Sequence, residues 1–386
     1  MEGARASVEM SPRKIPAVFM RGGTSKAIMF HARDLPAERA QWDAIFLSAM
    51  GSPDPNGRQL DGMGGGISSL SKVCIIAPSQ REDADVDYTF AQVQVKEARV
   101  DYGSNCGNMS SAVGPFALDE GLVAAADGEA TVRIFNTNTR KIIHSTFIVL
   151  EGRAAVAGAL AIPGVAGSGA PIRLDFVDPG GASTGKLLPS GSAVDLLDIP
   201  GLGRIEVSMV DAANACAFVA AGALGLKGTE MPDELERNAA ALQQLAAIRL
   251  HASVAMGIAR TLDEARARSA VPFIGFVAPA QDALSLSGER LPASAADITV
   301  RMISNGQPHR ALPLTASLCT AVAARIEGTT VWKVARRDAG DPLRLAMPSG
   351  VLTAEADASR ENGVWRVERG SFYRTARRLF EGCVYA

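Results

Sequence analysis

One segment places a cysteine between asparagines at the predicted start of a helix. In the run DYGSNCGNMSSA, Ser104 or Asn105 is a good N-cap, which puts Cys106 in the first helical turn. Free backbone amides and the positive end of the helix dipole lie there, where they stabilise a thiolate suited to proton transfer. The same amides, with the neighbouring asparagines, can hold a carboxylate. We therefore predict Cys106 as catalytic and Asn105, Gly107 and Asn108 as substrate-binding residues.

A second segment, DGMGGGISSLSK, places three consecutive glycines before serines and a lysine. Consecutive glycines let backbone amides approach an anion closely, so Gly65 and Gly66, with Ser69, are predicted to bind substrate. Lys72 enters an apolar strand, where partial burial disfavours the ammonium form and can produce a general base. A solvated surface lysine is the alternative interpretation.

A third segment, MRGGTSK, is a glycine turn rich in hydrogen-bond donors. Thr24 and Ser25 in this turn are predicted substrate-binding residues. None of the three segments offers an aromatic platform on which a base or ring could stack. The expected substrate is therefore a compact polycarboxylate.

Other motifs do not support a nucleotide or metal site. The run GGASTGK at 180–186 nearly fits a phosphate-binding loop, but Leu187 follows where a magnesium-binding hydroxyl is needed, and Pro189 stops the helix. The four histidines are not spaced as metal ligands, so no metal and no cofactor are predicted. Cys74, Cys319 and Cys383 lie within apolar runs, where packing is the preferred role.

The composition restricts the class of protein. The chain has 386 residues, 47% apolar and 21% charged, which predicts a folded protein of two domains. A formal net charge of −2 indicates no partner nucleic acid and no anionic membrane. The polar segment Met1–Lys14 has no signal-peptide core, and no apolar stretch reaches the roughly 20 residues of a membrane span. Five dispersed cysteines suit a reducing, cytoplasmic location.

Short β-type runs bounded by Gly, Pro, Asp and Asn predict a mostly antiparallel architecture interrupted by a few helices. The predicted strands are Ala17–Met20, Val73–Ala77, Tyr88–Val95, Thr131–Phe135, Ile142–Leu150 and Ile172–Val177. The predicted helices are Pro36–Met50, Gly107–Leu122 and Met231–Met256, the last with a break near its middle left open.

The order of these elements repeats along the chain. Met20–Ala27 and Met209–Ala217 each leave a strand, turn and enter a second strand before a proline and a helix. Two later matches follow in the same order: 73–78 with 273–279, and 111–113 with 320–322. On the register of the second of these, Cys106 falls opposite Thr315. Two copies predict two similar domains with a cleft between them. The alternative is chance similarity in an Ala/Gly-rich chain, against which the shared order weighs.

Four long motifs run through the chain: MRGGTSK, DGMGGGISSLSK, VDYGSNCGNMSSAVGPFA and FNTNTRKII. With MPSG near the end, they resemble the PrpF family, which includes 2-methylaconitate cis–trans isomerase, 3-methylitaconate Δ-isomerase and 4-oxalomesaconate isomerase. The resemblance extends from about Ile15 to Val384. The family's catalytic lysine and cysteine fall on Lys72 and Cys106, and a histidine of the family falls on His309, which makes it a further substrate-binding candidate.

The resemblance implies an α+β fold of the diaminopimelate-epimerase type. In that fold two pseudo-symmetric domains, each a barrel-like mixed or antiparallel sheet around a central helix, hold the active site in the cleft between them. The expected domains are residues 1–190, to which a strand from about 372–386 could be joined, and residues 191–371. The family is often dimeric, which leaves a homodimer open.

The resemblance also implies a cofactor-independent isomerase. We expect an allylic 1,3-proton shift that moves the double bond of a small unsaturated di- or tricarboxylate, such as 3-methylitaconate or 4-oxalomesaconate, because DYTFAQV and FNTNTRKII are similar to the methylitaconate-type enzymes. Cis–trans isomerisation of 2-methylaconitate is the alternative, and a non-catalytic partner of an aconitase-like enzyme is a third. Epimerases of this fold use a second cysteine, where this chain has Thr315. Which of Lys72 and Cys106 removes the proton stays open.

Overall fold

The computed structural model describes residues 13–336 and 342–386. The segment Met1–Lys14, for which no signal peptide is predicted, lies outside the described residues except for its last two positions.

The first half of the described chain is built mainly of strands around one long helix. Its strands are β1 (Lys14–Gly22), β2 (Ser25–His31), β3 (Lys72–Pro78), β4 (Val86–Val93), β5 (Val100–Asp101), β6 (Gly128–Asn136), β7 (Lys141–Leu150), β8 (Arg153–Ala154) and β9 (Ile172–Val177). Its helices are α1 (Trp42–Met50) and α2 (Gly107–Asp119).

The second half follows the same plan with additional outer helices. Its strands are β10 (Asp195–Ile199), β11 (Gly203–Ala212), β12 (Asn214–Ala220), β13 (Phe273–Pro279), β14 (Ala283–Leu284), β15 (Arg290–Leu291), β16 (Ile298–Ser304), β17 (Gln307–Pro308), β18 (Leu343–Met347), β19 (Gly350–Glu361), β20 (Val364–Arg374) and β21 (Ala376–Tyr385). Its helices are α3 (Pro232–Arg237), α4 (Ala239–Ala255), α5 (Leu262–Ala267), α6 (Leu314–Arg325) and α7 (Thr330–Val334).

Strand pairing repeats between the two halves. In the first half β1 and β2 form an antiparallel hairpin, β2 pairs parallel with β3, β3 antiparallel with β4, β4 parallel with β6, and β6 antiparallel with β7. The second half gives the same alternation through β11, β12, β13, β16, β18 and β19. The internal repeat predicted from the sequence is thus present in the pairing pattern.

The end of the chain returns to the first half. Strand β20 pairs antiparallel with β9, and β21 pairs antiparallel with β1. The two returning strands are consecutive, so they nearly close the first sheet on itself. Residues 369–374 and 376–385 therefore pair with strands of the first half, starting three residues before the strand from about 372–386 that the sequence predicted. The earlier part of β20 pairs with β19 of the second half.

Each half encloses one helix in its sheet. Every residue of α2 from Gly107 to Leu118 is buried, as is every residue of α6 from Leu314 to Ala324. Helix α2 packs against β1, β6 and β7, and α6 packs against β11, β12 and β19. A helix that is buried on all sides needs no polar face, which explains its small and apolar composition. The predicted α+β class is confirmed.

Several predicted boundaries were wrong, by six residues at the start of the first helix and by two or three residues elsewhere. The first helix begins at Trp42, after a separate 3₁₀ turn at Arg39–Gln41, and α2 ends at Asp119. The long helical stretch is divided at Asn238, whose side chain caps α4 by accepting from the Ala241 amide. Strand β4 ends at Val93. Within the described residues, no helix is both long and apolar enough to cross a membrane.

The tight fit of α2 inside its sheet leads to a test at Gly114. A Cβ atom there would lie 2.5 Å from Ser145 Oγ and 2.8 Å from a ring carbon of Phe147. We expect Gly114→Ala to lower the free energy of unfolding by about 1–3 kcal/mol, since overpacking outweighs the better helix propensity of alanine. Gly222→Ala is the matched control, because nothing lies within 4 Å of its added Cβ. Urea denaturation measures both variants, and equal stability would contradict the packing argument.

Candidate active site

A cavity of about 600 Å³ lies between the two halves of the chain. Both halves contribute to its wall, the first through the β1–β2 turn, β3 and the start of α2, and the second through the segment around α6. Nine predicted site residues line it, so the structure brings most of the predicted site together. They are Thr24, Ser25, Ser69, Lys72, Asn105, Cys106, Gly107, Asn108 and His309.

Cys106 is the N-cap residue of α2 rather than part of its first turn. Its backbone is extended, and its carbonyl accepts the Ser110 amide at 2.9 Å. The predicted capping by Ser104 or Asn105 was wrong, because no side chain caps this helix, and the Asn105 Oδ1 atom instead accepts from Asn136 Nδ2 at 3.3 Å. The first amides of α2 consequently have no helical partner and face the cavity end of the helix.

The N-termini of the two enclosed helices meet in this cavity. A Cβ atom at Gly107 would lie 3.0 Å from the Leu314 Cβ and 3.2 Å from the Thr315 Cγ2 atom, so glycine permits the contact. Thr315 is the second residue of α6 and lines the same cavity as Cys106, the N-cap residue of α2, while the predicted register between the two residues stays a prediction. Two positive helix ends therefore act on one small volume, which favours a ligand with more than one negative charge.

Lys72 is buried and is held in place by one side chain. Its Nζ atom donates to Gln92 Oε1 at 2.5 Å and lies 4.9 Å from the centre of the Phe90 ring. The Gln92 amide is itself fixed, because its Nε2 atom donates to the carbonyl oxygens of Ser68 and Ser71 at 3.0 and 2.9 Å. The ammonium has a neutral partner and no carboxylate beside it among the described residues.

His309 faces the same space from the second half. Its Nε2 atom is shielded from solvent and has no hydrogen-bond partner in the described chain. Burial, reinforced by the Lys72 ammonium, lowers the pKa of His309 to about 4. The ring is therefore neutral at pH 7 and can donate or accept one hydrogen bond at this nitrogen.

Gly65 and Gly66 do not reach the cavity, contrary to the prediction. The Gly66 amide donates to the buried Gln59 side chain at 3.0 Å, and the Gly65 amide donates to the Leu70 carbonyl at 3.2 Å. Amides that are already paired inside the protein are not free for an anion. The glycines shape the loop that leads to the cavity-lining serines, Ser68 and Ser69.

The GGASTGK loop is likewise occupied from within. The amides of Ser183 and Thr184 and the Thr184 hydroxyl all donate to Asp211 Oδ2, at 2.6–2.8 Å. Burial raises the pKa of the Asp211 carboxyl, and these donors oppose that effect. The Asp211 carboxyl thus occupies the amides that a phosphate would need. The loop is therefore not available as a phosphate site, which agrees with the missing hydroxyl after Lys186.

The sequence analysis missed several residues of the wall. Gln92 reaches Lys72 because the two are paired across β3 and β4, 20 positions apart. Ser304, Asn305 and Arg310 come from the second half. Gln92 lies within the family motif DYTFAQV, but its partner depends on strand register, which the local sequence does not state.

Comparison with known proteins extends the match over nearly the whole chain. The family profile described as PrpF protein matches residues 12–386. A 3-methylitaconate isomerase from Eubacterium barkeri is 44% identical, covering 96% of this chain and 97% of the relative. A 2-methyl-aconitate isomerase from Shewanella oneidensis is 39% identical over 96% of each chain. A 4-oxalomesaconate tautomerase from Pseudomonas putida is 40% identical over 97% of each chain.

Solved structures agree with this match. A crystal structure of a methylitaconate-delta-isomerase superposes with a TM-score of 0.79 at 43% identity, covering 97% of this chain and 96% of that one. A probable proline racemase from Agrobacterium radiobacter K84 superposes with a TM-score of 0.56 at 16% identity, over 96% and 92% of the two chains. The second likeness shows the fold alone and confirms the predicted epimerase-like architecture.

The low pKa of His309 makes stability depend on pH. The unfolded chain binds this proton near the usual pKa of 6.5, and the folded chain binds it only near pH 4. The contribution of His309 to the free energy of unfolding is therefore complete above about pH 6.5 and falls by up to about 3 kcal/mol as the pH drops toward 4. His309→Gln lacks this titration. Urea denaturation should show the stability of wild type declining relative to the variant between about pH 7 and about pH 4.5; a constant difference would refute the assignment.

Proposed function

The chain belongs to the PrpF family and is an isomerase, and on that premise we propose that it moves the double bond of a small unsaturated di- or tricarboxylate, such as 3-methylitaconate or 4-oxalomesaconate, by a 1,3-proton shift. The observation that carries the proposal is the meeting of two helix N-termini with Lys72 and Cys106 in one cavity. Free amides at two helix starts are suited to two carboxylate groups of one molecule.

The chemistry needs a base, an acid and a stabilised intermediate. A base removes the proton from the carbon γ to a carboxylate, and the C–H electrons form the new double bond between the γ and β carbons. The original double bond becomes part of a dienolate, which is protonated at the α carbon. Because carbon acids of this kind are weak, donors must stabilise the negative charge on the carboxylate oxygens.

The cavity offers residues for each of these roles. Lys72 and Cys106 line the same space and supply the base and the acid in either order. The free amides at the start of α2, with Asn108, are donors for the dienolate oxygens. On the predicted repeat, Thr315 falls at the position that the resemblance assigns to the second cysteine of a two-thiol epimerase, which favours proton transfer between two carbons over inversion at one carbon.

The alternative reaction returns the proton to the carbon from which it came. In that case rotation about a bond of the dienolate gives cis–trans isomerisation. The Shewanella relative is named 2-methyl-aconitate isomerase, which makes 2-methylaconitate the candidate substrate for this alternative. The same residues serve both reactions, and the outcome depends on which carbon the acid reaches.

All five cysteines are free thiols, which supports a reducing, cytoplasmic location.

The reaction can be tested by proton NMR in D₂O. We expect deuterium incorporation into at least one of 3-methylitaconate, 2-methylaconitate, aconitate and 4-oxalomesaconate, since each turnover removes a carbon-bound proton. A product with a moved double bond supports the Δ-isomerase, and a product with an unmoved double bond supports cis–trans isomerisation. No exchange into any of the four acids would refute the proposal and favour a non-catalytic partner.

The assignment of Lys72 and Cys106 can be tested by truncation. We expect Lys72→Ala and Cys106→Ala each to lower kcat/KM by at least about 10²-fold, because each removes a proton-transfer group. Cys383→Ala is the matched control, since Cys383 is a free thiol outside the cavity wall, and its turnover should match wild type. Turnover near wild type in both active-site variants would rule out this mechanism.

A further inference from the structure

We propose that Arg374 is a positioning residue for the substrate: from behind the cavity wall it holds the Asn108 amide with its donor side toward the cavity and contributes positive charge to carboxylate binding. The proposal deepens the function proposed above and rests on it. Arg374 lies at the end of β20, far in sequence from every motif that predicted the site, and it does not line the cavity itself.

Arg374 is a buried cation without a carboxylate partner in the described chain. Arg374 is 4% exposed to solvent. Its guanidinium donates to Asn108 Oδ1 at 3.3 Å and to the Tyr373 carbonyl at 2.9 Å. Burial lowers the pKa of Arg374 to about 9, so it remains charged at pH 7. A buried charge that is left unpaired is unfavourable, and a bound anion nearby would offset part of that penalty.

The contact fixes the orientation of the Asn108 side chain together with the Thr24 backbone amide, which donates to the same Oδ1 atom at 3.5 Å. A guanidinium only donates, so the atom of Asn108 that faces Arg374 must be the oxygen. The Nδ2 atom is thereby turned to Thr24 Oγ1, to which it donates at 3.1 Å. Since this Thr24 hydroxyl accepts from Asn108, its own hydrogen is free to point elsewhere, and both residues line the cavity. The hydrogen bonds from Arg374 to Asn108 and from Asn108 to Thr24 thus leave donors that can point toward a bound carboxylate.

The surrounding backbone is shaped to permit this arrangement. Gly23 has a φ of +50°, and a Cβ atom there would lie 2.2 Å from Asn108 Oδ1 and 3.2 Å from Arg374 Cδ. The Gly23 amide donates to the Thr375 carbonyl at 2.9 Å, and the Arg21 guanidinium donates to the carbonyls of both Gly23 and Thr375. These hydrogen bonds hold the β1–β2 turn against the junction between β20 and β21. Arg374, the last residue of β20, therefore lies beside Asn108.

Kinetics of Arg374 variants test the proposal. We expect Arg374→Met to raise KM by about tenfold or more, the effect of losing a hydrogen bond to a charged group, and to lower kcat by a smaller factor, because Asn108 is also a donor to the dienolate. Arg374→Lys keeps the charge and should recover part of the loss. Arg301→Met is the matched control, because Arg301 is also buried and donates to the carbonyls of Glu230 and Val300, outside the cavity. It should lower stability without changing KM.

A double-mutant cycle with Asn108→Ala separates positioning from general damage. If Arg374 acts through Asn108, the two effects on KM are less than additive, since the second change removes an interaction already lost. Additive effects, an unchanged KM in Arg374→Met, or an equal rise of KM in Arg301→Met would each overturn the proposal. If Arg374→Met does not fold, Arg374→Gln takes its place, because a neutral amide removes the charge and keeps polar groups at the position. A KM equal to that of wild type in that variant would overturn the contribution of positive charge to carboxylate binding.

Calorimetric binding of tricarballylate, a saturated tricarboxylate, distinguishes this proposal from the function on which it rests. If wild type isomerises one of the four acids but Arg374→Met has a normal KM, only the role of Arg374 fails. If wild type isomerises none of them yet binds tricarballylate at least about tenfold more tightly than Arg374→Met, the anion-positioning role stands and the proposed reaction fails. Absence of both turnover and binding in wild type would overturn both.

Discussion

The contact between the N-termini of α2 and α6 is the constraint on which the rest of the structure depends. Each helix lies inside its own sheet, and the two meet where Gly107 has no side chain to separate it from Leu314 and Thr315. Two positive helix ends repel each other, so this arrangement is favourable only when an anion lies between them or the surrounding fold enforces it. Strand β20 contributes to that enforcement, because it pairs with β19 of the second half and with β9 of the first half.

The distribution of charge follows from the same constraint. Within the described chain, the charged residues of the cavity wall are Lys72, Arg310 and Glu236. Lys72 is held by a neutral glutamine, and Arg374 lies behind Asn108 without a carboxylate beside it. A near-neutral protein can therefore present a locally positive site, because the described wall has two cations, Lys72 and Arg310, against the single carboxylate of Glu236. Neutral His309 adds a hydrogen-bonding group to this wall without adding charge.

Two glycine-rich segments show why a motif can resemble an anion site without being one. In both, an acceptor from the chain itself takes the amides that a ligand would need: Gln59 at the Gly64–Gly66 run and Asp211 at the GGASTGK loop. The start of α2 differs because no side chain caps it. Whether an amide is free is decided by residues distant in sequence, so a local pattern predicts the capacity to bind an anion and not its use.

The sequence by itself determined the α+β class, the internal repeat and nine residues of the cavity wall, because these depend on local periodicity and on long motifs. Only the tertiary structure decided which donors remain free, which side chain holds Lys72, and that Arg374 stands behind Asn108. Those facts depend on strand register and on contacts such as the one between positions 108 and 374, whose interaction energies arise only after the chain has folded back on itself. Local sequence specifies elements and candidate groups, whereas long-range packing decides how each polar group is satisfied.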